Sequence, residues 1–443
     1  MPLFFCTACE CEFDVKQVVW GKATCPQCKN NLKTTPWSAE KRVARTNTIS
    51  NSMHTLVRFE FVLRGVLGHL DEKGLVLTML VCSRWRAAAQ RLLYEFVPRM
   101  TAYGSMSDKL KDILIAPETG LLTGVRSLQL AVDQFPFPRP KDWETSVLNY
   151  IITNKIRIDL SLGTEDVETR SALIKASQTA SVIKSFAKMH NKVWVLDKQG
   201  VILGSPNVSF SGLEGRNIES FIVIRSARVG SMFSKYLTML KAPLKSPLYG
   251  KLNKEVFREL MVYNNESHRL KVALAPVINI TDFVASELKD AVKIVVRQFL
   301  VSHKHKYDRT EGLDIVDVLC GMARKGVDIE IVLDQSAYES QSFVQWAVED
   351  LQAAGCKVFL QQPVLIVDTG RECLMHDKLI LATLHKGVKR TLMGSAGFTS
   401  NVIANENAEC FISTDLDDVF ESMKAHSDKA MKTQKTTQLV LKK

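Results

Sequence analysis

Two distant stretches of this chain are built to one plan, and that repetition limits what the chain can fold into. The first opens Met-His-Asn-Lys at Met189, the second Met-His-Asp-Lys at Met375. Each continues as an apolar strand, turns at a basic, glycine-containing hairpin and returns to a Gly-Ser, at Gly204-Ser205 and at Gly394-Ser395. From that glycine both reach an Asn-x-Glu at the same offset: Gly204 to Glu219 and Gly394 to Glu409 are each fifteen positions. A lone His-x-Lys carries no information. Its recurrence with a shared downstream scaffold marks an internal duplication, and so two related lobes.

Residues i and i+2 of a strand share a face, so His190 projects with Lys192 and His376 with Lys378. If the lobes pack about a pseudo-twofold axis, two imidazoles and two ammonium groups meet around one cavity. Ser205, Ser395, Asn217 and Asn407 then add donors. Such a cluster is costly unless an anion fills it, and a phosphodiester fits in size and charge. One histidine attacks phosphorus while the other protonates the leaving oxygen, which splits the reaction into two displacements. Glu219 and Glu409 are each candidates to accept from a histidine Nδ1 and fix its tautomer. The lysines supply positive charge, so no metal is expected at this site.

The pattern, H-x-K-x4-D followed by G-S-x-N in two copies, resembles the phospholipase D superfamily from near Ser127 to Thr414. That resemblance implies a two-lobed α/β sandwich with a pseudo-twofold repeat and a phosphohistidine mechanism. It implies His190 as nucleophile and His376 as general acid, within a catalytic set of His190, Lys192, Asp197, Glu219, His376, Lys378 and Glu409. The implied phosphate-binding set is Ser205, Asn207, Asn217, Ser395 and Asn407. The first copy is complete. The second departs twice, with Thr383 where the motif aspartate belongs and Gly397 where the G-S-x-N asparagine belongs. The aspartate mostly supports the fold in that family, so its loss predicts a weakened second lobe, and Gly397 removes one amide donor to the phosphate.

The surrounding pattern is α/β. "VRSLQLAV" and "KIRIDLSL" read as strands, with a helix near Glu168–Ala187. "VKIVVRQFL", "VDIEIVLD" and "CKVFLQQ" read as strands separated by the helices "LDIVDVLCGMARKG" and "SQSFVQWAVEDLQAAG", each stopped by glycine. The lobes are bounded at 101–245 and 246–425, and a basic, loosely held tail is expected over 426–443.

Ahead of the lobes, Cys6 and Cys9 form one C-x-x-C and Cys25 and Cys28 another fifteen residues on. Each pair suits a tight turn, and a hairpin between them would close a tetrahedral thiolate site. The segment 1–35 resembles a zinc ribbon held by structural Zn2+, with Cys11 able to stand in for Cys9. A polar linker, 36–54, leads into 55–100, where Phe59, Val62, Leu63, Val66, Leu67 and Leu70 recur at helical spacing. With its Leu-Asp break and the run Val81–Arg86, this segment resembles an F-box, without the usual proline before Phe59. That implies docking to the Skp adaptor of a cullin ubiquitin ligase.

Net charge is +11 and sits at the ends: residues 1–100 hold 14 Lys/Arg against 8 Asp/Glu, and 424–443 hold 6 Lys against one Asp. Basic ends suit polyanions such as nucleic acid or anionic lipid. No apolar run reaches the ~20 residues that span a bilayer, and the N-terminus lacks a signal-peptide pattern, so an intracellular location is expected. Two functions follow. One is a phosphodiesterase acting on nucleic acid, slightly favoured, or on phospholipid. The other is a ubiquitin-ligase substrate receptor using an inactive phospholipase D-like fold as a binding platform.

Overall fold

The computed structural model describes the strands Leu3–Cys6 and Cys11–Asp14 and then residues 98–440, apart from 106, 134, 137, 139–141, 164–166, 176–182, 185–187, 267–268, 304–312, 367–370 and 404–406. The chain divides into two compact units, Met1–Val97 and Pro98–Lys443. In the first, β1 (Leu3–Cys6) and β2 (Cys11–Asp14) form an antiparallel hairpin that ends on the pair Cys6 and Cys11. Cys9, Cys25, Cys28, the linker and the F-box-like segment up to 97 lie outside the described residues.

The second unit holds the duplication. Its first sheet draws on β3 (Arg99–Gly104), β4 (Ser127–Val132), β5 (Arg157–Leu162) and β6 (Ile183–Lys184). A short β7 (Lys188–Met189) stands apart, and β8 (Lys192–Leu196), β9 (Gly200–Gly204) and β10 (Ser220–Arg225) complete the sheet in the order β3-β10-β9-β8-β4-β5-β6. The second half supplies β11 (Leu270–Leu274), β12 (Ala291–Gln298), β13 (Asp328–Asp334) and β14 (Lys357–Gln361). After a small hairpin, β15 (Val364–Ile366) and β16 (Arg371–Cys373), come β17 (Lys378–Leu384), β18 (Lys389–Gly394), β19 (Asn407–Ala408), β20 (Cys410–Thr414) and β21 (Thr436–Gln438). This sheet runs β11-β20-β18-β17-β12-β13-β14-β21.

Seven positions of the two orders coincide, from β3 with β11 through to β6 with β14. Across those seven positions each sheet makes six pairings, the last two parallel and the first four antiparallel. The duplication read from two short motifs therefore extends over both sheets. The central strands β8 and β9 are buried at every residue, which is why they read as unbroken apolar runs rather than alternating ones.

Helices cover the outer face of each sheet. Leu128, Leu130 and Trp194 pack with the helix Val147–Thr153, and Ile294, Val296 and Ile380 pack with the helices Ile315–Arg324 and Ser342–Ala353. The opposite faces share a third core, in which Val193 and Val195 of one lobe join Leu379, Leu381 and Ile412 of the other, together with the helix Ala227–Lys241. About 25 cal/mol per Å² of apolar surface removed from water holds the lobes as one body.

Three expectations are corrected. The helix near 168–187 is shorter, Val167–Lys175, and the chain returns to the sheet as β6. Lobe 1 starts before residue 101, because β3 begins at Arg99 as its edge strand. The tail expected to be loose from 426 is part of the fold. The helix Asp417–Thr433 buries Val419, Phe420, Met423 and Ala430 at helical spacing while Lys424, Lys429 and Lys432 face outward, and β21 then pairs with β14. Net charge hid that apolar stripe. Among the described residues no helix is long and apolar enough to cross a membrane.

Candidate active site

The two histidines sit just ahead of β8 and β17, at the same ends of equivalent strands. What brings them together is backbone pairing between lobes. β7 pairs in parallel with β19, setting Met189 beside Ala408, and Ile218 bridges Met375 in the same sense. Since Met189 matches Met375 and Ala408 matches Ile218 in the repeat, the two contacts are one contact seen twice. His190 N–H donates to the Ala408 carbonyl at 3.2 Å and His376 N–H to the Ile218 carbonyl at 2.9 Å.

This pairing swaps the glutamates. His190 Nδ1 lies 2.6 Å from Glu409 Oε1, and His376 Nδ1 lies 3.0 Å and 3.1 Å from the two oxygens of Glu219. Each imidazole is thus held by a carboxylate of the other lobe, and both carboxylates are fully buried. A carboxylate on Nδ1 keeps the proton there and leaves Nε2 as the reactive nitrogen. Each lysine folds back on its own strand: Lys192 Nζ donates to the His190 carbonyl at 2.8 Å and Lys378 Nζ to the His376 carbonyl at 2.9 Å. Lys378 Nζ also stands 3.3 Å from His376 Nε2.

Burial governs the electrostatics. It lowers the Lys192 ammonium against the pull of Glu409 and Glu219, and lowers His376 against the pull of Glu219. Lys378, desolvated and near Lys192, is brought down to about 8. Glu409 would be raised by burial, but His190, Lys192 and Ser395 together hold it below the usual carboxylate range. Buried cations of lowered basicity are stabilised when an anion arrives. Two consequences follow on pH. Anion binding should weaken as pH rises through about 8, where Lys378 is expected to lose its proton. In contrast, unfolded Lys378 keeps its proton to about pH 10.4, so its contribution to stability grows between those values. Activity and denaturation midpoint measured from pH 7 to 10 should move in opposite directions, and Lys378→Met should flatten both.

The remaining predicted residues divide. Ser205 and Ser395 are buried, each hydroxyl accepting from the backbone N–H of β10 or β20, at Ser220 or Cys410, both 3.0 Å; Ser395 also donates to Glu409. The glycines before them are required by close approach: a Cβ at Gly204 would lie 2.3 Å from the Ser220 carbonyl, and one at Gly394 2.1 Å from that of Cys410. Asn217 reaches Glu219 at 3.4 Å and accepts from the Leu374 N–H at 3.3 Å. Asn207 and Asn407 each carry a buried Oδ1 with no hydrogen bond.

Asp197 lies away from the histidines, at the far end of β8. With φ of 46° it forms the β8–β9 turn, and its carboxylate accepts from the N–H groups of Arg126 and Ser127 and from the Ser127 hydroxyl. Replacing Asp197 with Ala should cost about 1–3 kcal/mol of stability in denaturant unfolding while leaving the rate per folded molecule unchanged. Thr383 has no such task. β17 runs two residues longer than β8, so Thr383 sits within the strand, paired to Lys293 and Lys389, where a β-branched residue suits the ladder. The expected weakening of lobe 2 has no structural counterpart at this position.

Sequence reading missed several supports. Asp334, capping the helix Gln335–Ser340, accepts from Met375 N–H at 2.9 Å beside His376, and Phe299 packs on the His376 ring at 5.6 Å. Tyr236 donates to the Ala275 carbonyl and receives the Asn191 amide. Behind the strand, Asp377 binds Arg297 Nε and His426 Nε2, each at 3.0 Å.

Residues 289–431 match the family model described as cardiolipin synthase, PLD-like domain. The matched stretch falls in the second half of the repeat and is similar to a phospholipase D-like domain. The match ends short of lobe 1, whose seven-strand order repeats that of lobe 2. No curated protein matches the chain. In fold it is similar to phosphatidylserine synthase from Haemophilus influenzae Rd KW20, with TM-score 0.50, 9% identity and coverage of 79% of this chain and 91% of that one. It is also similar to polyphosphate kinase from Porphyromonas gingivalis (TM-score 0.48, 9% identity, 77% of this chain), of which it spans about half, 48%. A third similarity is to Nuc from Salmonella typhimurium, a phospholipase D family member, with TM-score 0.30, 19% identity and coverage of 38% of this chain and 98% of that one. At 9% identity, the likeness to the phosphatidylserine synthase concerns the fold alone.

Proposed function

We propose that this chain is a phosphodiester-processing enzyme of the phospholipase D superfamily, with both lobes contributing to one phosphohistidine site. The observation that carries this is the exchange of glutamates, His190 with Glu409 and His376 with Glu219, which orients both Nε2 atoms without using them. His190 Nε2 attacks phosphorus and the P–O bond to the leaving group breaks as His376 gives that oxygen a proton. His376, now a base, takes a proton from water, whose oxygen displaces His190 from phosphorus. Lys192 and Lys378 bind the non-bridging oxygens, where negative charge grows. An alcohol in place of water would make the second step a transfer.

Basic ends favour nucleic acid slightly over phospholipid as substrate. The test is purified protein with single-stranded DNA, RNA and phosphatidylcholine vesicles, without divalent metal. Turnover of lipid alone defeats the nuclease preference, and turnover of nothing defeats the enzyme. We further propose that Cys6, Cys9, Cys25 and Cys28 hold a structural Zn2+. Four thiols at these spacings form the donor set that zinc prefers, and the β1–β2 hairpin supports the reading by bringing the flanks of the first pair together. Elemental analysis should give one zinc per chain, and Cys25→Ser should reduce it well below one.

A further inference from the structure

Gln298 closes β12, and its cross-strand partner is Lys378. Facing residues of an antiparallel pair project to the same side, so the Gln298 amide stands beside the Lys378 stem. On its other flank Gln298 pairs with Leu333, which offers nothing to an amide. Gln298 is fully buried, and neither Oε1 nor Nε2 has a hydrogen bond. A buried amide without partners is costly, and the fold at this position does not need one. Lobe 1 shows this directly. There the same register position, opposite Lys192 and beside Leu162, is held by Val132. The two lobes share a framework at this point and differ in one side chain.

The difference faces a second one. After β18 the chain crosses the end of β17: Phe398 bridges Val301, and Ser302 N–H donates to the Phe398 carbonyl at 2.8 Å. That crossing carries Gly397 past the end where Lys378 and Gln298 stand. Lobe 1 has Asn207 at the position equivalent to Gly397, with a buried Oδ1 that is likewise unpartnered. A Cβ built on Gly397 meets only the Thr399 methyl, at 3.7 Å, so the place of the lost amide is open. Lobe 2 thus lacks an amide on the loop and has an extra one on the strand below it.

We propose that Gln298 is a phosphate-contacting residue, its side-chain N–H donating to a non-bridging oxygen on the His376 side in place of the amide missing at Gly397. The inference rests on the phosphodiester reading of the site. At this end of the paired strands it sets one amide beside each lysine: Asn207 with Lys192, and Gln298 with Lys378. The orphaned state of Gln298 is then that of a binding group whose partner is the ligand.

Gln298→Val, which copies lobe 1, tests this in the full-length chain, alongside wild type and the double variant Gln298→Val/Gly397→Asn. Three quantities are read: affinity for tungstate by calorimetry, kcat/KM on bis(p-nitrophenyl) phosphate, and Tm. Losing a hydrogen bond to a charged group should weaken tungstate binding and kcat/KM roughly 10- to 100-fold. Tm should hold or rise, because an unpaired buried amide is gone, and the double variant should regain affinity. A Gln298→Val protein with wild-type affinity and turnover overturns the proposal. So does a loss of affinity that follows a lowered Tm and is not regained by Gly397→Asn. If wild type binds tungstate but cleaves nothing, the enzyme reading fails and Gln298 is still judged on affinity. If wild type neither binds nor cleaves, both fall.

Discussion

Replacing either His190 or His376 with Asn should lower turnover by more than about 10⁴-fold, beyond the effect usual for an acid–base group alone. In the proposed mechanism each histidine serves in both displacements, so the double replacement should cost little more than either single one. The crossed glutamates sharpen the expectation. Glu409→Gln should impair the chemistry of His190, and Glu219→Gln that of His376, although each pair spans the lobes. Quenching a reaction early and locating the phosphoryl adduct by mass spectrometry separates the roles. With His190 as nucleophile, the adduct falls on the peptide containing residue 190 and accumulates in His376→Asn with an activated leaving group. An adduct on residue 376 alone would exchange the roles, and no adduct under any condition would remove the covalent route. Unchanged turnover in both variants would favour the binding-platform alternative.

The largest expected effect on stability lies one residue from the chemistry. Asp377 stands between His376 and Lys378 in sequence and is fully buried, as is Arg297, with His426 completing the cluster. Gln361 binds the Arg297 guanidinium at 2.8 Å and the Ala430 carbonyl at 2.8 Å, so the network ties β12, β14, β17 and the helix Asp417–Thr433 together. Asp377→Ala should destabilise by about 3–5 kcal/mol, since it leaves a buried guanidinium uncompensated. Asp377→Leu with Arg297→Met should recover much of that, because removing both charges removes the cost of burying one.

Burial alone would raise the Asp377 carboxyl, but His426 and Arg297 hold it well below the usual range. Its contribution is therefore complete above the unfolded carboxylate value of about 3.9 and is lost as pH falls from there toward the folded value. Urea unfolding from pH 7 down to 3 should show this acid dependence in wild type and a shallower one in Asp377→Ala. A loss below 1 kcal/mol would mean that the network is dispensable.

Much of the architecture was legible in the residues. Strands such as Ala291–Gln298 and helices such as Ile315–Arg324 depend on apolar periodicity and glycine stops within a dozen neighbours, which sequence displays directly. The duplication was visible because both copies open on Met-His-x-Lys and keep the fifteen-residue interval from the Gly-Ser glycine to the Asn-x-Glu glutamate, although the stretch between His and Gly is four residues longer in the second. Elsewhere local reading failed for definable reasons. Lys424, Lys429 and Lys432 suggested a solvated tail, while the apolar side of the same helix was packing on the lobes. Asp197 and Thr383 looked like one motif position with and without its residue, yet strand length makes the first a turn and the second a ladder residue.

From sequence alone come the two lobes, the His-x-Lys faces and the candidate glutamates, because period and spacing are properties of a single chain segment. Tertiary structure decided which glutamate serves which histidine, since the partners are 219 and 157 residues apart and meet through strand pairing between lobes. It also decided that Asp377 meets Arg297 and that Gln298 lies opposite Lys378 without a hydrogen-bond partner. In both cases the side chain's meaning comes from the strand across from it, and no pattern along the chain records that register.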